Sequence, residues 1–488
     1  MSAIPDLLKI GSIPSNLAMS VETGILDPVV QNDGFIRFNM KRSGFLHSNS
    51  KLVLSLKKGT THDDATKQTH WNYPASVGVG SLIERVRLLS GNTVIQEIQD
   101  WQHLHAYNSQ FISNENMKER EQYTTGRTLA YDYDYKDLDT SLADSRSYHE
   151  ATGISVGNGL EYSGQSAADP PVYVANPVLW DKQRPKEQLI QNEPTFQISL
   201  QDLCPFLKQT QLPLFMFEEQ LFLEITFTGG SDSNLKVDRF IGNGNALTAD
   251  PTRSYDINPI ESKLIIDYIT YPNETMEAWA AANQNLQFQY TDWELSKYTL
   301  TKAIGESGFI RNQGGAGKVV NKMILIASRA SGGQGGKADN ENMLGAFEAK
   351  HPTAINTIKG GLVKLNMRYN DEYLFPIDVD NDAYHFNNTL MAEGQPPMTG
   401  RDQFCGVGAS LSGRQFCGRN INSPDEGISG SQFSVAQKLN KNPRINQKGV
   451  ELYATFKNLD ADSYVLRCYL EVNKMASLVD GKLRSEYL

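Results

Sequence analysis

Two strand pairs of one design, far apart in the chain, limit what this sequence can fold into. In Leu221-Phe-Leu-Glu-Ile-Thr-Phe227, Leu221, Leu223, Ile225 and Phe227 alternate with Phe222, Glu224 and Thr226. Period two is the mark of a half-buried strand. After a Gly229-Gly230 break and a polar loop, Leu264, Ile266 and Tyr268 alternate with Ile265, Asp267 and Ile269, and Tyr271-Pro272 ends the run. Val450-Glu-Leu-Tyr-Ala-Thr-Phe456 matches the first strand, and Tyr464-Val-Leu-Arg-Cys-Tyr-Leu-Glu-Val472 matches the second. The repetition predicts a duplicated β domain.

A second unit also occurs twice. Val86-Arg-Leu-Leu89, the turn Ser90-Gly91-Asn92 and Thr93-Val-Ile-Gln-Glu-Ile98 read as a hairpin, since Gly and Asn supply the positive φ that tight turns demand. Asp100 is placed to cap a helix bearing Trp101, Leu104, Asn108 and Phe111 at helical spacing. In the second half, Val363–Met367, the turn Tyr369-Asn370-Asp371 and Tyr373–Phe375 make the same hairpin. A short helical segment with Tyr384, Phe386 and Leu390 follows Asp380.

The remaining segments fill this frame. Phe35–Met40 and Leu52, Leu54 and Leu56 read as strands, with a polar loop from Lys57 to Tyr73. Phe196, Ile198 and Leu200 resume the strand pattern. Leu286–Tyr290 opens the second half, and Val319–Ala327 is a strongly apolar strand. Met1–Asp33 has no clear period and reads as an arm that orders by packing on something else. The one good helix between the halves, Thr275–Ala282, places the boundary. The expected division is an arm over 1–33, a first domain over 34–272, a linker helix over 273–285 and a second domain over 286–488. Long polar connections run from Gln122 to Pro194 and from Arg401 to Gly430. About eight short strands per copy argue for an all-β protein of two consecutive jelly-roll sandwiches, with short helices in long loops.

Charge and cysteine usage narrow the function. The 488 residues carry 46 basic and 56 acidic side chains, net −10, whereas a general nucleic-acid binder carries a basic excess. Lys41-Arg42 is too short for a packaging arm. Cys204, Cys405, Cys417 and Cys468 share no metal spacing and read as free thiols in a reducing compartment. The echo Gln403-Phe-Cys-Gly406 and Gln415-Phe-Cys-Gly418 reads as local duplication. The first residues show no signal peptide and no stretch approaches the roughly 20 apolar residues of a membrane span, which predicts a soluble protein made in the cytosol. Asn273-Glu-Thr275 and Asn387-Asn-Thr389 match the glycosylation sequon but carry little weight without such a signal.

Catalytic patterns are missing: the chain has no HExxH, GxSxG, P-loop or dinucleotide fingerprint. His103 and His105 lie two apart on a helix, on different faces, and make a poor metal pair. No catalytic, cofactor-binding or metal residue is assigned, and no cofactor is expected. The competing class is a two-domain β-sandwich carbohydrate-binding protein or glycoside hydrolase. Glu218 or Glu219 could begin its carboxylate pair, and Tyr131-Asp-Tyr-Asp-Tyr135 could line a sugar or ion site; no partner acid can be named.

The ordered set of parts resembles a known family. Strand, Ser-Gly-Asn hairpin, capped helix and long loop are followed by Leu212-Pro213 leading into Gln-Leu-Phe-Leu-Glu-Ile-Thr-Phe227, and then by Leu264-Ile-Ile-Asp-Tyr-Ile-Thr-Tyr-Pro272. This is similar to the double jelly-roll major capsid proteins of polinton-like viruses and virophages, a lineage that includes adenovirus hexons, tectivirus capsids and large DNA viruses. The likeness runs from Phe35 to Val472; residues 1–33 and the loop at Arg401 have no match. The resemblance implies a structural protein with no catalytic residues. It implies a homotrimer forming a pseudo-hexagonal capsomer that tiles an icosahedral shell around a double-stranded DNA genome. Its partners would be neighbouring capsomers and penton, minor capsid or cement proteins, with no specific nucleic-acid binding and no membrane span. Its place would be the virion, after synthesis and assembly in a host cell.

Overall fold

A computed structural model of the chain describes residues 19–32, 34–58, 68–72, 78–109, 111, 124–125, 195–208, 212–227, 238–243, 246–250, 255–257, 262–300, 303–329, 361–380, 382–394, 434–439, 444–458 and 464–488. The first half runs β1 (Ser20–Leu26), β2 (Val30–Asn32), β3 (Phe35–Asn39), β4 (Phe45–Leu46), β5 (Lys51–Lys58), β6 (Gln68–Asn72), β7 (Ile83–Ser90) and β8 (Thr93–Gln99). It continues with α1 (Trp101–Ser109), β9 (Thr195–Ser199), α2 (Leu200–Leu203), β10 (Leu221–Phe227), β11 (Asp238–Asn243), β12 (Ala246–Asp250), β13 (Tyr255–Ile257) and β14 (Lys263–Thr270). Helix α3 (Asn273–Ala282) follows. The second half has β15 (Asn285–Thr299), β16 (Gly305–Asn312), β17 (Val320–Arg329), β18 (Gly361–Tyr369), β19 (Glu372–Tyr373), α4 (Asp382–Glu393), β20 (Ser434–Lys438), β21 (Glu451–Asn458), β22 (Tyr464–Val479) and β23 (Lys482–Tyr487).

The pairing is the same in both halves. In the first, β1-β14-β5-β9 form one sheet and β3-β10-β7-β8 the other. In the second, the sheets are β15-β22-β17-β20 and β16-β21-β18-β19. Numbering the eight main strands within each half, both read 1-8-3-6 and 2-7-4-5. The strands matched by sequence, β10 with β21 and β14 with β22, hold equivalent places. So do the hairpins β7-β8 and β18-β19, each followed by a helix. The turns have the expected backbone: Gly91 has φ 55°, and Asn370 and Asp371 have φ 50° and 66°.

Alternation fills each sandwich. Ile36, Phe38, Val86, Leu88, Leu223 and Ile225 face Leu52, Leu54, Phe196, Ile198, Leu264 and Ile266, all buried in one core. In the second half, Met323, Leu325, Cys468 and Leu470 meet Leu365, Met367, Leu452 and Phe456. Cys204 and Cys468 are buried free thiols, and burial pushes both thiol pKa values up. Cys405 and Cys417, Tyr131–Tyr135 and the loops at 126–194 and 401–430 lie outside the described residues.

Three expectations are corrected. Part of the supposed arm is the first strand: β1 pairs in unbroken antiparallel register with β14, from Ser20↔Thr270 to Leu26↔Leu264, and Val30–Asn32 pairs with β3. These residues lack a burial period because β1 joins through its backbone and exposes most of its side chains, Val21 and Ile25 included. The segment Lys57–Tyr73 is not all loop, since Gln68–Asn72 forms β6. The polar stretch before Leu264 carries β11 and β12, which join β6 in a small three-stranded sheet.

Candidate functional site: the junction between the two sandwiches

The sheet β15-β22-β17-β20 is covered on both faces. Met323 and Leu325 of β17 point into the second sandwich, whereas Ile324 and Ile326 belong to the same apolar cluster as the first. On β22, Cys468 and Leu470 point inward and Tyr469 points to the first sandwich. Two-sided burial explains why Met323–Ala327 reads as a continuous apolar run instead of an alternating one. The first half meets this face with β8, α1 and the turn Pro205–Lys208. Phe206 packs edge-on against Tyr290 at 5.1 Å and Phe288 at 6.2 Å.

A polar network threads this apolar contact. Gln96 of β8 donates from Nε2 to the Thr291 carbonyl at 2.9 Å and to Asp292 Oδ1 at 3.1 Å. Its Oε1 accepts from the Phe206 amide and the Cys204 thiol, both at 2.9 Å. The Tyr290 hydroxyl donates to the Ile95 carbonyl at 2.6 Å. Burial raises the Asp292 carboxyl pKa, even with Lys474 Nζ 2.6 Å away. Further along, Tyr107 donates to Glu393 Oε1 at 2.7 Å, and Lys322 binds the same carboxylate at 2.7 Å. Buried polar groups are tolerated when partnered in this way, and such bonds fix geometry that apolar contact alone leaves free to slide.

Asp100 is the node of the network. It sits between β8 and α1 with φ 47°, a left-handed conformation that Asp tolerates better than most residues. Its carboxylate takes Lys297 Nζ at 2.6 Å and Arg467 Nε at 2.7 Å, one from β15 and one from β22. Its carbonyl accepts from the Tyr469 hydroxyl at 2.8 Å and from the His103 amide at 3.1 Å. The carbonyl bond to the His103 amide is the first turn of the helix; the carboxylate, expected to cap that helix, serves the other sandwich instead. Burial raises the Asp100 pKa, but Arg467 and Lys297 outweigh it and hold the carboxyl below the usual carboxylate range. His103 is buried and His105 stacks on Trp101 at 4.3 Å, so the two rings do not converge.

A turn near the end of the chain makes a second latch. β22 and β23 are joined by Asp480-Gly481, with φ 50° and 71°, and the Glu218 amide donates to the Gly481 carbonyl at 2.8 Å. A Cβ on Gly481 would clash with Glu218 Cγ, so the position requires glycine on two counts. Asp-Gly between Leu478 and Leu483 is a hairpin signal of the strongest kind and was legible in the sequence. Of the two acids in the sugar-enzyme reading, Glu218 meets this turn through its backbone amide, and Glu219 accepts from the Ser90 hydroxyl at 3.3 Å beside Gly91. Among the described residues no group of three or more His, Cys, Asp or Glu is placed to hold a metal ion. No helix of these residues is long and apolar enough to cross a membrane.

No protein-family model and no curated protein matches this chain. Solved structures do. A chain of the Sputnik virophage, from electron cryo-microscopy, superposes with a TM-score of 0.51 at 9% identity, covering 96% of this chain and 88% of that one. That superposition and the repeated 1-8-3-6 and 2-7-4-5 orders of this chain decide the architecture. The chain is a double jelly roll. The mavirus major capsid protein matches at TM-score 0.44 and 12% identity, covering 99% and 93% of the two chains. The Faustovirus major capsid protein matches at 0.46 and 10%, covering 96% and 93%. In this double jelly roll the junction, with Asp100 at its centre, sets how one roll stands beside the other.

Proposed function

We propose that this double jelly roll is the major capsid protein of a double-stranded DNA virus, with a structural role in the virion. The observation that carries the reading is the pair of sandwiches with one strand order, held side by side by a buried junction. Two rolls fixed in one chain form a rigid block; three such chains around an axis present six similar walls, the shape needed to tile a shell. The Sputnik virophage chain shares this fold. Long connections between strands would supply the outer surface and the contacts between copies, with penton and minor capsid or cement proteins as further partners. The proposed division puts the first roll before α3, extended back to Ser20, and the second after it. The net charge of −10 suits a wall that encloses nucleic acid without clamping it.

The test is the mass in solution by size exclusion with light scattering, followed by negative-stain imaging of the same peak. Three 54.4 kDa chains make 3 × 54.4, or about 163 kDa, and the particles are expected to look pseudo-hexagonal. A monomer that binds oligosaccharide would overturn the proposal in favour of the carbohydrate reading.

A further inference from the structure

We propose that His103 makes the junction acid-sensitive, so that a proton added to its ring loosens one jelly roll from the other. The ring sits in α1, only 2% exposed, one turn beyond Asp100. The groups that face it are Asp100 at the head of its own helix, Lys297 from β15 and Arg467 from β22. Tyr469, also from β22, is engaged with the Asp100 carbonyl. β7 packs on α1 as well, but its Arg85 and Arg87 alternate with core residues and pair with Glu97 and Glu224 on the opposite face of that sheet. The turn Gly78–Leu82 brings no titratable group. Glu393 of α4 is held by Tyr107 and Lys322.

Two independent features oppose protonation. The first is charge: Asp100 already faces two cations, so among the described residues an imidazolium would place a third cation beside one carboxylate. The second is hydrogen bonding. Nδ1 of His103 is buried without a partner. A neutral ring can leave that nitrogen bare, whereas a protonated ring must carry N–H on both nitrogens, and a buried donor without an acceptor is unfavourable. Burial and Arg467 both hold the His103 pKa well below the ordinary value. The sign follows: a group with a depressed folded pKa leaves stability intact above its unfolded pKa of about 6.5 and removes it as pH falls below that value. The strain falls where β15 and β22 meet α1, so the junction is the part that yields. The inference rests on one chain and stands whether or not three copies assemble.

The experiment follows the full-length protein from pH 7.5 to 5. Deuterium exchange at the imidazole C2 of His103, read by mass spectrometry, is expected to titrate well below the ordinary midpoint of about 6.5. Backbone exchange, corrected for its intrinsic pH dependence, is expected to accelerate at Trp101–Ser109 and Asn285–Thr299 more than in β10 and β21. In His103→Gln that difference should shrink, and the wild-type unfolding constant should rise by up to about 30-fold more than the variant's by pH 5. Asp292, whose raised pKa acts in the opposite sense, is common to both proteins and cancels. A C2 midpoint at or above about 6.5, or junction amides that respond no more than the sheet interiors, overturns the proposal. Both readouts use the wild-type chain, so the test survives a variant that fails to fold.

Discussion

Replacing Asp100 should separate the junction from the rest of the fold. In Asp100→Asn the left-handed φ of 47° remains accessible, because Asn shares that tolerance, and the carbonyl keeps its bonds to Tyr469 and His103. What disappears is the charge opposite Arg467 and Lys297. The Arg467 side chain is 13% exposed and the Lys297 side chain 45%, so Lys297 can swing into water while Arg467 stays behind. Removing one partner of a buried pair costs about 3–5 kcal/mol. Access of Lys297 to water places Asn near the low end, about 3 kcal/mol. Asp100→Ala adds about 1–2 kcal/mol for a Cβ-bearing residue without a side-chain bond in the left-handed region. Urea unfolding followed by tryptophan fluorescence, to which Trp101 and Trp293 contribute from the two sides of the junction, reads both. Arg467→Met in the Asp100→Asn background should recover most of the loss, because the guanidinium that faced the lost carboxylate is then gone. A loss below about 0.5 kcal/mol for Asp100→Asn, a size typical of an exposed pair, would refute the junction argument.

Two further outcomes are expected. Phe111, expected on α1, lies two residues beyond its end, 7% exposed with its ring 5.1 Å from Tyr107, so Phe111→Ala should lower the unfolding free energy by about 3–5 kcal/mol, and a change near zero would show that the end of α1 does not pack as described. Gly481→Ala forces a side chain into a φ of 71° and against Glu218, so thermal melting should drop by several degrees, whereas Asp480→Asn, which keeps the turn chemistry, should change it little.

The fold was legible where side chains alternate and turns announce themselves. Leu221–Phe227 and Val450–Phe456 occupy the same place in their sandwiches because one-sided burial writes period two into a strand. The junction was harder to see. Asp100 has the sequence context of a helix cap, and only the approach of Lys297 and Arg467 makes it a bridge between halves. The strand β1 was hidden for the opposite reason, since backbone pairing with β14 asks nothing of its side chains.

Sequence alone determined the duplication, the strands whose side chains alternate, the hairpins and the position of the helix after each hairpin. These are local consequences of hydrophobic period, turn residues and capping, all encoded within a few neighbouring positions. Tertiary structure alone decided which face of the β15-β22-β17-β20 sheet meets the first sandwich, and why Asp100, Gln96 and Gly481 are where they are. Their partners lie up to 369 residues away, as for Tyr469 and Asp100, and no local pattern specifies a contact at that distance.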